Sequence, residues 1–151
     1  DVLMNLLRPV IKTLVSKRII SNTLFERAAN PAIIKQILKK AYPSGKNLDE
    51  ELIEILYNPS QRENSKEAFR GFINLFDDYL STDFFDKINA PIQLIWGEKD
   101  PWESLSEAKS WKKNYKNIKR LDIIKNAGHC PHDENPEATN KLIYEFIQET
   151  K

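Results

Sequence analysis

Two short stretches of this 151-residue chain concentrate its chemically versatile side chains. Asn126–Pro136, NAGHCPHDENP, holds both histidines, His129 and His132, and the single cysteine, Cys130. Gly97–Trp102, GEKDPW, holds Asp100, with Glu98 and Glu103 close by. Such residues are suited to three chemistries: ligating a metal, attacking through a thiolate, or moving a proton on an imidazole held by a carboxylate. The metal reading fails on count and geometry. Zinc sites draw tetrahedral ligands from separated pairs, and here one tight cluster has no second His or Cys elsewhere. Cys130 lacks a second His–acid pair to activate it, so it reads as a buried, unreactive thiol behind His129. The imidazole–carboxylate pair remains, and it calls for no cofactor and no metal.

The elements around these stretches decide whether acid and imidazole can meet. Residues 1 to about 85 read as helical, with a break near Pro9. In NPAIIKQILKKA, Asn30 is the expected N-cap, Pro31 opens the helix, and Ile34, Ile37, Leu38 and Ala41 form one stripe. In NLDEELIEILY, Asn47 is the expected cap, with Glu50 three residues on and Leu52, Ile55 and Leu56 on a face. SKEAFRGFINLFDDYL places Phe69, Phe72, Ile73 and Phe76 on one side. From about Asp86 the pattern changes. APIQLIWGEKD predicts a buried strand over Ile92–Trp96, and SLSEAKSWKKNY a helix through Leu105, Ala108, Trp111 and Tyr115. IKRLDIIKNAG predicts a strand over about Lys119–Ile124. NPEATNKLIYEFIQET predicts a last helix capped by Asn135, with Leu142, Ile143, Phe146 and Ile147 inward. The expected division is a helical region over 1–85 and an α/β region over 86–151.

Strand–helix–strand–helix makes two parallel strands. Parallel sheets are covered on both faces and have several strands. The chain is therefore expected to be incomplete as a fold, with further strands supplied by a longer polypeptide or a partner. Ligands of open α/β sheets bind beyond the carboxyl ends of the strands. Asp100 follows the first strand, where Pro101 favours an extended residue before it. His129 follows the second, and Gly128 is expected to let the backbone turn sharply there. Acid and imidazole then face each other at one edge.

An acid after one strand and a His after the next is the order of the late members of an α/β-hydrolase triad. PIQLIWGEKDPW followed by NAGHCPHDENPEATNKLIYEFI resembles the C-terminal end of α/β-hydrolase-fold proteins, most of all the plant and cyanobacterial pheophytinase-like hydrolases. The likeness is strong over residues 90–147. Over 1–85 the chain resembles, more loosely, the helical cap (lid) of that family. The resemblance implies that Asp100 is the triad acid and His129 its base, that Trp102 lines the substrate pocket or packs against the cap, and that the substrate is a small apolar molecule with an ester or similar bond, for which the pheophytinase likeness suggests a bulky apolar ester such as a tetrapyrrole ester. His132 is expected to be a polar loop residue, and Asp133 and Glu134 to complement a helix N-terminus.

The chain departs from the family pattern in its glycines. They stand at 45, 71, 97 and 128, with no G-x-S-x-G. Nucleophile and oxyanion donors are thus expected upstream, and the fragment alone is expected to be inactive. A Ser nucleophile implies ester hydrolysis and an Asp a dehalogenase-like reaction; a non-catalytic ligand-binding protein on the same fold is the third reading. Composition sets the remaining bounds. With 40% hydrophobic and 30% charged residues the chain is of ordinary globular type. Its net charge of +1 gives no steering toward nucleic acid. One cysteine fits a reducing compartment, and no apolar run approaches the roughly 20 residues of a membrane span. The expected location is the cytoplasm, or the plastid stroma in a plant.

Overall fold

A computed structural model describes residues 13, 17–75 and 82–151. The expected break near Pro9 and the Phe76 end of the aromatic stripe lie outside the described residues. The rest divides into two compact units. One draws on Asp1–Lys35 and Asp49–Ser81, the other on Gln36–Leu48 and Thr82–Lys151.

The first unit is helical. It contains α1 (Arg18–Ala28), the start of α2 (Pro31–Ala41), α3 (Glu50–Tyr57), a 3-10 turn over Asn58–Gln61, and α4 (Ser65–Leu75). Asn30 caps α2 as expected, its Oδ1 accepting the Ala32 N–H at 2.8 Å. The cap of α3 differs from expectation. Asp49, not Asn47, accepts the Leu52 N–H, at 2.8 Å. Asn47 instead adopts φ 58°, a left-handed conformation that Asn tolerates because its short amide bonds locally. Helices α1 and α4 pack through Phe25 and Phe69, ring centroids 5.3 Å apart, while Phe72 of the predicted stripe is exposed. Ion pairs join Glu26 to Lys66 and Lys35 to Glu50 across the unit.

The second unit holds the sheet. After a 3-10 turn (Thr82–Lys87) come β1 (Ile92–Gly97), α5 (Leu105–Asn114), β2 (Ile118–Ile124), a single turn α6 (Pro131–Glu134) and α7 (Pro136–Glu149). The strands pair in parallel, from Ile92 opposite Ile118 to Gly97 opposite Ile124. Side chains alternate along a strand, so Gln93 and Trp96 point to opposite faces. Gln93 Nε2 donates to the Leu142 carbonyl of α7 at 3.1 Å. Trp96 meets Trp111 of α5 edge-on at 5.7 Å. Helices α5 and α7 therefore cover opposite faces, and the expected α/β layering is present.

Ala108, Ile118, Ile124 and Ala127 form the buried centre of this unit, with Leu38, Ala41 and Tyr42 also buried. The strands are less buried than a central parallel pair requires. Among the described residues each has one neighbour, and most of β1 is half-exposed. The α7 face is only half covered for the same reason. Leu142 and Phe146 are half-buried, but Ile143 and Ile147, expected to face inward, are 40% and 47% exposed. Between β2 and α7 lies charge: Arg120 reaches Asp122 at 2.8 Å, Glu145 at 2.9 Å and Glu149 at 3.0 Å. No helix among the described residues is long and apolar enough to cross a membrane.

Candidate active site at the carboxyl ends of the strands

Beyond their last paired residues, the segments that follow the two strands continue side by side. The Glu98 N–H donates to the Ile124 carbonyl at 3.0 Å and the Lys99 N–H to the Ala127 carbonyl at 2.8 Å. Glu98 then turns its carboxylate to the Asn126 N–H at 3.1 Å. Two glycines allow this approach. A Cβ on Gly97 would stand 1.8 Å from the Gly128 carbonyl oxygen. A Cβ on Gly128 would stand 2.1 Å from the Ala41 carbonyl oxygen. The expected reason for Gly128 was a sharp turn, yet it has no positive φ; Asn126, at φ 61°, takes the left-handed position instead. Gly128 is required by close packing of backbone on backbone.

Asp100 and His129 meet here. Asp100 is held as an Asx turn, its Oδ1 accepting the Trp102 N–H at 3.0 Å and the Glu103 N–H at 3.1 Å. Its Oδ2 lies 3.0 Å from His129 Nδ1. The Asp100 side chain is 7% exposed and that of His129 41%. Burial alone would raise the Asp100 pKa; the two backbone N–H donors, and then His129, outweigh it and hold the carboxyl below its usual range. An ionised carboxylate only accepts, so the proton between the pair belongs to Nδ1. Among the described residues nothing is hydrogen-bonded to Nε2. The arrangement is an oriented imidazole, its tautomer set by a buried acid, with the second nitrogen open for proton transfer.

Trp102 stands at the same place, 49% exposed, its ring edge-on to the His129 imidazole at 4.9 Å. A cavity of about 150 Å³ adjoins the pair, bordered by Trp96, Gly97, Asp100, Glu103, His129 and Pro131. The structure thus brings together Asp100, His129 and Trp102, the three residues that the resemblance assigns to the site. Glu98 and Glu103, the rival acids, serve otherwise: the first caps Asn126, and the second gives its backbone to Asp100 and to the Trp96 indole N–H, at 3.1 Å. His132 is exposed, and no cluster suited to a metal occurs among the described residues. Cys130 is half-buried.

Sequence reasoning missed the second set of residues behind His129. Glu134, 2% exposed, accepts from the Gly128 N–H and from both the N–H and the hydroxyl of Ser44. Asp133 accepts from the Tyr42 hydroxyl at 2.8 Å and from the Asn47 amide at 3.2 Å. These acids were expected to serve a helix terminus; apart from Gly128, their partners Tyr42, Ser44 and Asn47 lie on a segment of distant sequence that no local pattern announces.

No family profile matches the chain. It is similar to the chloroplastic pheophytinase of Arabidopsis thaliana, 30% identical over 135 residues, which are 85% of this chain and 27% of that protein. It is also similar to the monoacylglycerol lipase ABHD6 of Mus musculus, 32% identical over 82 residues, 54% of this chain and 24% of that one. The chain thus spans about a quarter of the length of these relatives. Among solved structures it resembles a bacterial membrane phospholipase A described as a virulence factor, with a TM-score of 0.64 and 24% identity over 82% of this chain and 39% of that one. Parallel strands ending in an acid and a histidine, the likeness in fold and the named relatives together place this chain in the α/β-hydrolase superfamily.

Proposed function

We propose that this chain is the cap and the C-terminal catalytic segment of an α/β-fold hydrolase that cleaves an ester of a small apolar substrate. The observation that carries the reading is the 3.0 Å contact between Asp100 Oδ2 and His129 Nδ1 at the ends of two parallel strands. In this reading His129 Nε2 takes the proton of a nucleophile supplied by residues outside this chain. The nucleophile attacks the ester carbonyl, and His129 returns the proton to the leaving alcohol. Water then attacks the acyl intermediate by the same route, the acid leaves, and the free nucleophile is restored. Asp100 stabilises the imidazolium that forms in each half. Trp102 forms a wall of the substrate site, and the helices of residues 18–75 belong to the cap. The lipase and pheophytinase names of the relatives support an ester as the scissile bond.

The test uses the full-length protein containing this segment, assayed against p-nitrophenyl esters of graded acyl length and against acylglycerols. Turnover is expected, and His129→Ala is expected to lower kcat by about 10³-fold or more while leaving the thermal transition in place. Turnover equal to the parent's in that variant would refute the assignment.

A further inference from the structure

The Glu134 carboxylate does not touch the imidazole, yet it accepts hydrogen bonds from both segments that hold the His129 backbone. Glu134 Oε1 accepts the N–H of Gly128, the residue before His129, and Oε2 accepts the Ser44 N–H at 3.1 Å and the Ser44 hydroxyl. The same segment, Ala41–Ser44, gives His129 its backbone partner: the His129 N–H donates to the Ala41 carbonyl at 2.9 Å. Glu134 is 2% exposed, so its charge is satisfied by these donors rather than by water.

We infer that Glu134 is a positioning residue of the site: it clamps the His129 backbone onto the Ala41–Ser44 strap and thereby holds Nδ1 at Asp100. The inference rests on the reading of His129 as the base. Its consequence is geometric. A loop free to move by about 1 Å carries the imidazole with it, and a displacement of that size costs up to about 10²-fold in rate. Substrate contacts are untouched, so kcat falls and KM does not.

The experiment compares Glu134→Ala, Glu134→Gln and Ser44→Ala in the full-length protein with Ile118→Ala. Ile118 is a fully buried core residue at the far end of β2, so its variant reports loss of stability alone. Each is read by kcat and KM on a p-nitrophenyl ester, by thermal unfolding, and by the His129 Nδ1–H resonance in protein with labelled histidine. Glu134→Ala is expected to lower kcat about 10- to 100-fold with KM within about twofold, and to lose the Nδ1–H resonance. Glu134→Gln retains an oxygen for the Gly128 N–H and recovers part of both; Ser44→Ala falls between. Ile118→Ala is expected to unfold earlier with kcat and resonance intact. Should Glu134→Ala fail to fold, Glu134→Gln and Ser44→Ala decide alone. Variants that keep the parent's kcat and resonance, or an Ile118→Ala that loses both, overturn the inference. The resonance is read without turnover, so it judges Glu134 even if His129→Ala shows that the hydrolase reading fails.

Discussion

Asp100 Oδ2 and His129 Nδ1 lie 3.0 Å apart although 29 residues of chain separate them. The distance follows from parallel pairing. With Gly97 opposite Ile124, residues a few positions beyond each strand end reach the same edge. The Asx turn at Asp100 and the Gly128–Ala41 contact at His129 then aim the two side chains at each other.

Asp100→Asn separates orientation from charge. Asn can keep its oxygen on the Trp102 and Glu103 N–H groups, but its amide then meets Nδ1 and favours the wrong tautomer. In the full-length protein kcat is expected to fall by about 10⁴-fold with the structure retained. Ester turnover and a crystal structure of the variant check this; an Asn variant as active as the parent would mean that Asp100 does not hold the tautomer.

The acid limb of stability should depend on the same carboxyl. Its folded pKa is lowered, so its stabilising contribution is complete above the unfolded aspartate value, about 4, and is lost as pH falls through the lower folded value. Urea unfolding of the parent and of Asp100→Asn between about pH 6 and 2 measures the difference. The variant should show a flatter decline below about pH 4. Parallel declines would show that the carboxyl titrates alike in both states.

Gly128→Ala tests close approach. Its Cβ would fall 2.1 Å from the Ala41 carbonyl oxygen and 2.4 Å from Pro43 Cδ, so strap and loop must part. A loss of about 1–3 kcal/mol is expected by denaturant unfolding, with kcat reduced as well. Gly71→Ala, with open space at its Cβ, is the contrast and should be neutral or slightly stabilising.

Tyr42→Phe removes the hydroxyl that Asp133 accepts. Burial, then Cys130 and Asp133, raise the Tyr42 pKa far above its usual value, so the phenol stays a donor through the whole working range. The variant should lose about 1 kcal/mol, measured by urea unfolding at neutral pH. An unchanged midpoint would show that water replaces the bond.

The helix start at Asp49 gives a local check. Asp49→Ala should cost about 1 kcal/mol, because the Leu52 N–H loses its acceptor. Asn47→Ala should destabilise through the left-handed φ of 58° and the lost amide bonds to Asp133 rather than through α3. Circular dichroism with thermal unfolding of each variant separates the two positions.

The sequence by itself determined what short-range physics controls. Apolar spacing placed α2 and α7, Asn30 and Asn135 announced their caps, and short apolar runs placed β1 and β2 within one residue of their ends. It also ordered the candidate site, since acid and histidine each follow a strand and parallel pairing brings strand ends together. Tertiary structure decided the rest. Ser44 meets Glu134 across 90 residues and Tyr42 meets Asp133 across 91, and no periodicity encodes such pairs. Asn47 reads as a cap locally, but Asp49 takes that place and Asn47 turns to Asp133. Gly128 reads as a turn, yet its role is set by a carbonyl from Ala41. Ile143 and Ile147 carry an inward pattern that the described residues cover only in part. Periodicity states which face of an element avoids water; only the arrangement of other elements decides what meets that face.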